Sequence, residues 1–348
     1  MIYADFLKGL HKLNLLRGIL LLLISLPSGT ALADAVLEWG GSNYVASGLN
    51  LQRLNNDADW RNTDVFKTPA CTLQSNRDLL QQNLSNLRAH GQRKVALVLW
   101  HSDTDNTGDC KGFLLRSHGG EFSPQVMDNL RVFLQLATRL RFEEVQIRFA
   151  PMGKSWPREW KSWDESVFQE NWSLIRSTAA ALQSIKSPRV VYDLDAELGG
   201  LTAPGCVQCP EYVRRMWRVY TAEFGNQNTY GFSIAYAPGR LARLIDDLRA
   251  SGPLPAYYAI DIYAEPERIG TAIDTLAREA TQKGVAAPEF LIQETYYADQ
   301  GVYQSLVAAA RRNHVTFRAI MQWPQTRGSN RKHISVPETP EYLYVPAH

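Results

Sequence analysis

The stretch VVYDLDAELGG, Val190 to Gly200, begins as an apolar run and becomes acidic before it ends at two glycines. In a β-strand every second side chain faces the same way, so Asp193, Asp195 and Glu197 would lie on one face. Three carboxylates this close repel one another and raise one another's pKa values, which costs stability unless cations or hydrogen bonds compensate. We therefore predict a functional site at the end of this strand, with Glu197 as a catalytic residue.

Strand and helix patterns alternate on both sides of this stretch. Seven further strands are predicted: 42–51, 95–103, 143–151, 230–238, 256–266, 289–297 and 317–325. Helical patterns occupy 75–90, 123–137, 164–185, 210–224, 241–250, 269–283 and 302–313. Eight strands separated by helices predict an α/β protein with a (β/α)8 TIM barrel in a single domain. Only a polar loop and VPETPEYLYVPAH follow the eighth strand, so we expect a short or missing eighth helix.

Residues 1–33 have the pattern of a secretory signal peptide. Three basic residues precede the apolar run GILLLLISL at 18–26, and Ala31 and Ala33 form an A-x-A pattern. We therefore expect cleavage near Asp34, a mature barrel of residues 34–348, and a periplasmic or secreted protein. The apolar run is short for a membrane span, so an uncleaved anchor is the weaker alternative. After cleavage no stable membrane insertion is expected.

The charge balance gives no electrostatic reason to bind polyanions. The chain has 37 basic and 35 acidic residues, and removing residues 1–33, which carry three basic and one acidic residue, leaves 34 of each. Binding to nucleic acid or to an anionic membrane depends on an excess of positive charge. We expect neither partner.

Four cysteines in an exported protein indicate two disulfides. Cys206 and Cys209 lie in GCVQCP, and we expect Cys71 and Cys110 in loops after the first two strands. The preferred pairs are Cys71 with Cys110 and Cys206 with Cys209. A redox role for the CxxC motif is disfavoured because the turn-rich LTAPG precedes it, and zinc is disfavoured because no second CxxC or paired histidines accompany it. No metal or other cofactor is expected.

The active site of such a barrel lies at the carboxyl ends of its strands. The side chains collected there are His101, Asp103, Arg148, Glu197, Tyr236, Asp261, Tyr263, Glu294 and Trp323. Hydrolysis of a glycosidic bond with retention needs two carboxyl groups about 5–5.5 Å apart, one as acid and one as nucleophile. Glu197 and Glu294, on the fourth and seventh strands, can meet that distance across the barrel mouth.

This placement resembles the large clan of (β/α)8 retaining glycoside hydrolases that includes cellulase-like and β-xylosidase-like enzymes. That clan has its acid/base on strand four and its nucleophile on strand seven. The resemblance implies that Glu197 in DLDAE is the acid/base and Glu294 in LIQET the nucleophile. It also implies that Tyr263 in DIY orients the nucleophile and that Arg148 keeps the nucleophile ionised. Trp323 in MQWP would form the floor of the sugar subsite.

One position departs from the clan's pattern, which usually has asparagine immediately before the acid/base. Ala196 stands there. Either Asp195 or another strand makes the missing sugar contact, or the site has lost its activity. Our preferred structural interpretation is that Asp193 and Asp195 hold Arg148 or neighbouring strands in place.

Several aromatic and polar residues are further candidates for substrate contact. Trp156 and Trp160, in PMGKSWPREWKSW, either stack on sugar rings or anchor a long loop in the core. Tyr296 either lines the cleft or packs under a loop. His101 and Asp103 lack the companions of a metal site, and we expect them to touch substrate.

Together these patterns predict an exported, monomeric retaining glycoside hydrolase that acts on a poly- or oligosaccharide. The alternative from another class is a non-catalytic carbohydrate-binding barrel, an accessory to exopolysaccharide metabolism or export, which the missing asparagine favours. A third interpretation is an inverting or non-glycosidic hydrolase on the same barrel.

Overall fold

Strands and helices alternate along the chain. The computed structural model describes residues 41–43, 69–103, 110–111, 114–297, 299–323 and 327, all within one compact unit that comprises Ala35–His348. The strands are β1 (Gly41–Asn43), β2 (Lys94–Ser102), β3 (Cys110–Lys111), β4 (Leu114–Arg116), β5 (Glu144–Pro151), β6 (Arg189–Asp193), β7 (Thr229–Gly231), β8 (Ile234–Ala235), β9 (Tyr258–Asp261), β10 (Glu289–Glu294) and β11 (Thr316–Gln322). The helices are α1 (Pro69–Ala89), α2 (Pro124–Arg139), α3 (Glu165–Leu182), α4 (Cys209–Phe224), α5 (Arg240–Arg249), α6 (Pro266–Gln282) and α7 (Gln300–Asn313).

The barrel strands pair in parallel, and the sheet that they form curls into a (β/α)8 barrel. Its strands pair in the order β7-β6-β5-β2-β1-β11-β10-β9-β8, and the hairpin of β3 and β4 lies beside β2. Only Phe232 and Ser233 separate β7 from β8, so these are two halves of the fifth barrel strand and the two ends of the order adjoin along the chain. The predicted TIM-barrel class is confirmed.

Both faces of the barrel strands are buried, as expected for a parallel sheet covered by helices. In β5 the alternating residues Val145, Ile147 and Phe149 join the main hydrophobic core with the surrounding helices. Gln146 and Arg148, which point the other way, are buried inside the barrel. A strand whose outer face is apolar and whose inner face is polar therefore delivers a charged side chain to the barrel interior.

Local sequence signals set the starts of several helices. The Ser123 hydroxyl accepts a hydrogen bond from the Val126 backbone N–H at the start of α2, and Asp164 does the same for Val167 at the start of α3. Helix α1 begins at Pro69, earlier than the predicted Ser75, because proline is also favoured in a first helical turn.

The predicted loop positions of Cys71 and Cys110 are wrong. Cys71 lies within α1 and Cys110 within β3, while their side chains fall outside the described part of the structure. The predicted pair Cys206–Cys209 is formed, with the two Cα atoms 5.5 Å apart, at the start of α4. Of the predicted first strand, residues 44–51 lie outside the described residues.

The acidic strand is shorter than predicted. β6 ends at Asp193, and the chain then turns: the Ala196 N–H donates to the Phe149 carbonyl (2.7 Å), and Glu197 has a φ of +63°. Asp195 and Glu197 therefore belong to a turn above the barrel and do not share a strand face with Asp193. The predicted row of three carboxylates on one strand is wrong.

Among the described helices, none combines the length and apolar character needed to cross a membrane. Of the residues after β11, only Trp323 and Arg327 are described, so the segment of an eighth helix lies outside the described part.

Candidate active site

Arg148 lies at the centre of a polar network inside the barrel. Its Nε donates to Asp193 Oδ2 at 3.2 Å. Its Nη2 donates to Ser233 Oγ and to Asp261 Oδ2, each at 3.2 Å. Its Nη1 donates to Glu294 Oε1. One side chain of β5 therefore binds residues from β6, the β7–β8 passage, β9 and β10.

The charges in this network depend on one another. Burial opposes the charge on Arg148, but the carboxylates of Glu294, Asp261 and Asp193 raise its pKa well above the ordinary value. Burial and the charge of Glu294 raise the pKa of Asp261 well above its usual range, against the opposing effect of Arg148. Burial likewise raises the pKa of Asp193. Removing the guanidinium would leave buried acids without their compensating cation.

Glu294, the last residue of β10, is oriented through both carboxylate oxygens. Arg148 binds Oε1, and the Tyr263 hydroxyl donates to Oε2 at 2.7 Å. Burial and the charge of Glu294 raise the pKa of Tyr263 well above its usual value, so the hydroxyl keeps its proton and remains a donor. One donor on β5 and one in the segment just after β9 thus fix the carboxylate in the barrel mouth.

Glu197 lies in the turn after β6, and its side chain is exposed. Its backbone N–H donates to Ser233 Oγ at 2.9 Å, and its carbonyl accepts from Arg240 Nη2. The Ser233 N–H in turn donates to Asp193 Oδ1 at 3.0 Å. Ser233 therefore connects the backbone of Glu197 to the network around Arg148.

The turn that carries Glu197 packs tightly against the start of α5. Arg240 Nε donates to the Gly199 carbonyl at 3.0 Å, and Arg243 Nε donates to the Gly200 carbonyl at 2.9 Å. Gly200 has a φ of +67°, and a Cβ at this position would lie 2.1 Å from the Arg240 carbonyl oxygen. Only glycine fits this close approach in the left-handed region.

The carboxylates of Glu197 and Glu294 face each other at short range. One carboxylate oxygen from each of Glu197, Asp261 and Glu294 lies within 4.8 Å of the other two. This separation agrees with the distance of about 5–5.5 Å between acid and nucleophile in retaining glycosidases, and is shorter than the ~6.5–9.5 Å of inverting ones. Three oxygens at this spacing could also hold a cation, but the Arg148 guanidinium already binds Asp261 and Glu294 and would repel it.

A cleft of about 290 Å³ opens above these carboxylates. Its described lining is Val98, Trp100, Ala150, Pro151, Met152, Trp156, Arg158, Asp195, Ala196, Glu197, Tyr263, Glu294 and Trp323. The Trp323 ring meets Trp100 edge to face at 6.1 Å, and the Arg158 guanidinium lies 5.4 Å from the centre of the Trp156 ring. Carboxylates beside flat aromatic surfaces suit a ligand with both apolar faces and polar edges, such as a sugar.

The structure brings most of the predicted site residues together. Arg148 binds Asp261 and Glu294, and Glu197 and Tyr263 lie beside Glu294. Trp156 and Trp323 form walls of the cleft. The predicted substrate contacts Arg148 and Asp261 belong to the buried network and are not part of the cleft lining. The other predicted residues do not line it either: His101, Asp103, Tyr236, Tyr296 and Trp160.

His101 and Asp103 have other environments than expected. The His101 ring is buried and makes T-shaped contacts with the rings of Phe122 and Phe149. Burial lowers its pKa to about 3, so the ring is uncharged at neutral pH and packs as a core side chain. Asp103 forms an ion pair of 3.1 Å with the exposed Lys154. His101 lies near the end of β2 and Asp103 directly after it, but neither lines the cleft.

The aromatic candidates divide according to packing. Trp160 is 8% exposed, meets the Tyr212 ring at 5.7 Å, and donates from Nε1 to the Lys154 carbonyl at 2.8 Å. It is a core anchor of its loop. Tyr296 packs edge to face on Tyr263 at 5.1 Å, and Tyr236 packs partly buried against the main core.

Three important residues were not predicted. Ser233 is a polar residue within the apolar run YGFSIAY, a signal that indicates an inward-facing contact. Trp100 follows five apolar residues at the end of β2. Arg240 has no sequence signal, because its role depends on backbone carbonyls of a turn more than forty residues earlier in the chain.

No protein-family model matches the sequence, and no curated protein matches it. Solved structures do match. An exo-β-1,4-mannosidase from Opitutaceae bacterium strain TAV5 is 15% identical, with a TM-score of 0.51 over 84% of this chain and 54% of the mannosidase, so this chain spans about half of that protein. A GH5-4 broad specificity endoglucanase from Clostridium acetobutylicum is 11% identical, with a TM-score of 0.50 over 85% of this chain and 92% of the endoglucanase. A second GH5-4 broad specificity endoglucanase, from Clostridium longisporum, is 10% identical, with a TM-score of 0.51 over 88% of this chain and 91% of that protein. The predicted resemblance to (β/α)8 retaining glycoside hydrolases is therefore confirmed at the level of the fold.

Proposed function

We propose that this protein is a retaining glycoside hydrolase that acts on a poly- or oligosaccharide. The observation that carries the proposal is the approach of the Glu197 and Glu294 carboxylate oxygens to within 4.8 Å, at the mouth of the barrel. A retaining mechanism requires this separation, and an inverting one requires room for a water molecule between the two groups.

In the first step, Glu294 attacks the anomeric carbon while the bond from that carbon to the leaving oxygen breaks. Glu197 donates its proton to the leaving oxygen, and a covalent glycosyl-enzyme remains. Arg148 and Tyr263 support this step because they hold the two oxygens of Glu294 in a fixed orientation. The exposed side chain of Glu197 suits a group that reaches toward the leaving sugar.

In the second step, Glu197 is a carboxylate and takes a proton from water as that water attacks the anomeric carbon. The bond to Glu294 breaks, the sugar is released with its original anomeric configuration, and both residues return to their starting states. Trp323 and Trp156 supply flat surfaces against which sugar rings pack during both steps.

The matched structures suggest where to look for the substrate. They are a β-1,4-mannosidase and broad specificity endoglucanases, so we propose β-linked glycans, β-1,4-mannans and β-glucans first. The open cleft of about 290 Å³ with several aromatic walls suits one or two sugar units near the carboxylates.

The test is a screen of the purified protein against bacterial and plant polysaccharides, with Glu294→Gln and Glu197→Gln as parallel samples. We expect hydrolysis by the parent, loss of hydrolysis in Glu294→Gln with an unchanged thermal unfolding curve, and strong reduction in Glu197→Gln. Proton NMR of the first product should show retention at the anomeric carbon. Equal activity of parent and Glu294→Gln would remove Glu294 as nucleophile.

The competing function is a non-catalytic carbohydrate-binding barrel, and Ala196 is the specific observation in its favour. Under that alternative, glycans bind to the parent but are not cleaved, and Glu294→Gln leaves binding unchanged. Inversion at the anomeric carbon would instead favour the inverting hydrolase.

We also propose that the protein is exported. Residues 1–33 lie outside the described part of the structure, and the proposal of a cleaved signal peptide rests on their basic, apolar and A-x-A pattern. Expression of the full chain in a bacterial host, followed by N-terminal sequencing of the protein from the periplasm and medium, should give a start near Asp34. Recovery of only the uncleaved chain from the membrane fraction would contradict it.

A further inference from the structure

Arg158 is an exposed arginine of the cleft that the proposed mechanism does not use. It is the one basic residue in the described cleft lining, and its guanidinium lies 5.4 Å from the centre of the Trp156 ring. Among the described residues, no carboxylate forms an ion pair with Arg158. Its positive charge is therefore available to a molecule bound in the cleft.

The guanidinium of Arg158 also lies near the turn that carries Glu197. Burial lowers the pKa of Arg240 to about 10, and the positive charge of Arg158 is among the further causes of the lowering. Because the interaction of two charges weakens with distance, Arg158 lies close to Arg240. The Arg240 side chain in turn donates to the Glu197 carbonyl. An acidic group bound to Arg158 would therefore lie beside the proposed acid/base.

A second arginine that stacks on a tryptophan has its charge balanced by the protein itself. The Arg215 guanidinium lies 4.4 Å from the centre of the Trp163 ring, and it forms ion pairs with Glu211 at 2.6 Å and with Glu165 at 2.8 Å. Arg215 is not part of the cleft lining. Arg158 has the same kind of ring contact without these acids, so the partner of its charge is expected to come from outside the chain.

The acidic residues of the cleft do not cancel the charge of Arg158. Glu294 is already bound by Arg148, and under the proposed mechanism Glu197 binds substrate in its protonated, neutral form. Burial raises the pKa of Asp195 well above the ordinary value, which favours its neutral form. Neither carboxyl oxygen of Asp195 has a partner among the described residues, so the expected support of Arg148 by Asp195 is not observed. An anionic substrate would meet an uncompensated positive charge in this cleft.

We propose that the cleft selects an acidic glycan, in which a carboxylate or sulfate group on the sugar beside Trp156 pairs with the Arg158 guanidinium. This assignment rests on the proposed function and names the substrate class of the same site. The planar guanidinium offers parallel N–H donors that match two oxygens of such a group. The balanced net charge of the whole chain does not oppose the proposal, because a cleft concentrates the field of its own lining residues.

The test measures calorimetric binding in the Glu294→Gln protein, the parent, so that bound glycans are not cleaved. The probes are β-1,4-glucan and β-1,4-mannan oligosaccharides, each in a neutral form, a form oxidised to carboxylates at C6 and a form sulfated at C6. Because the three forms differ in that group alone, the ratio of charged to neutral affinity measures recognition of the acid.

Three further substitutions are made in this parent, and the thermal unfolding of each is recorded. Arg158→Met removes the charge, and Arg158→Lys keeps the charge without the planar fork of donors. The matched control is Arg215→Met, which removes an arginine that stacks on a tryptophan outside the cleft lining.

We expect the parent to bind a charged form about tenfold more tightly than the neutral form, as a charge-assisted hydrogen bond contributes. Added salt should reduce this preference because it screens charge pairs at accessible sites. Arg158→Met should bring the ratio close to one, Arg158→Lys should keep part of it, and Arg215→Met should keep the ratio of the parent. The charged form with the larger gain identifies the acidic group.

Equal binding of charged and neutral forms by the parent overturns this assignment, and hydrolysis of the neutral form by the unsubstituted protein would still support the proposed function. A preference for charged forms that Arg158→Met retains also overturns the assignment. Preferred binding of a charged form that the unsubstituted protein does not hydrolyse supports recognition of the acid and contradicts the proposed function. A parent that binds none of the oligosaccharides overturns the proposed β-glycan specificity and, with it, this assignment.

Discussion

The hydroxyl of Tyr263 donates a hydrogen bond of 2.7 Å to Oε2 of Glu294, the carboxylate oxygen that Arg148 leaves free. One donor lies on β5 and the other just after β9, and together they hold the two oxygens of one carboxylate. Rotation of that carboxylate would break one bond or the other. The orientation of Glu294 is therefore fixed before any substrate arrives, which is the preorganisation that catalysis by a carboxylate requires.

Loss of the tyrosine hydroxyl should slow the reaction more than it weakens binding. We expect Tyr263→Phe to lower kcat by about 10- to 100-fold, the worth of one hydrogen bond to a charged group, with a small change in KM. Tyr296→Phe is the control, because its ring packs on Tyr263 without lining the cleft. Steady-state kinetics on the glycan from the screen measure both. Equal kcat values for the two variants would contradict the orienting role.

Arg148 should be essential for folding as well as for activity. We expect Arg148→Met to lower the free energy of unfolding by about 3–5 kcal/mol, because it leaves three buried acids without their cation. Arg214→Met removes a half-exposed arginine that pairs with Asp247 and Glu211, and should cost less than about 1 kcal/mol. Urea unfolding of the two variants measures both losses. Similar losses of unfolding free energy would show that the ion pairs of Arg148 contribute no more than those of an arginine at the surface.

The raised pKa of Asp195 makes stability depend on pH with a defined sign. The folded protein binds the proton more tightly than the unfolded chain, so this contribution is present below the ordinary Asp pKa of ~3.9 and is lost as the pH rises toward the raised folded value. Asp195→Asn does not titrate at this position. The difference in unfolding free energy between variant and parent should therefore grow in favour of the variant from about pH 4 upward. Urea unfolding between pH 4 and pH 8 measures it; a constant difference across that range would be inconsistent with the shift.

Gly200 should not tolerate a side chain. A Cβ there meets the Arg240 carbonyl oxygen at 2.1 Å, so Gly200→Ala must displace the turn that carries Glu197. Gly119 has almost the same φ, +68°, with nothing within 4 Å of its Cβ position. Gly119→Ala should cost only the strain of about 1–3 kcal/mol that the left-handed region imposes, and Gly200→Ala clearly more. Equal unfolding temperatures for the two variants would exclude the proposed close contact.

Removal of metal ions should leave hydrolysis unchanged. The three carboxylate oxygens of Glu197, Asp261 and Glu294 have the spacing of a cation site, but Arg148 already supplies a positive charge to two of them. We expect equal rates before and after dialysis against EDTA, measured on the same glycan. A loss that zinc or magnesium restores would indicate a metal-dependent reaction instead.

The alternation of strands and helices was readable from the sequence because each period repeats over many residues. The barrel and the starts of α2 beside Ser123 and of α3 beside Asp164 follow from such local patterns. The end of β6 does not. The alternation of acidic and apolar residues continues beyond Asp193, and the turn is set by a backbone bond from Ala196 to Phe149 on the neighbouring strand.

The site was predictable where it depends on strand ends and not where it depends on loops. Glu294, Asp261 and Tyr263 lie at or just after strand ends, and the structure gathers them. Trp156 and Trp160 belong to one short motif, yet one lines the cleft and the other is buried against Tyr212. No spacing rule distinguishes these two tryptophans, because the packing of distant helices decides which of the two rings is exposed to the cleft.

Because the fifth strand is interrupted at Phe232 and Ser233, the Arg148 side chain helps to hold the barrel together at this point. Backbone pairing joins β7 to β6 and β8 to β9, and between these halves the Arg148 side chain binds Ser233 across the barrel interior. Opening of the barrel at this seam therefore also breaks the side-chain bond from Arg148 to Asp261, which lies on the far side of the seam, whereas Asp193 lies on the same side as Arg148. Amide hydrogens on both sides of the seam should exchange with solvent as one cooperative unit, so that the part of the molecule proposed to cleave glycans is also the part that resists local opening.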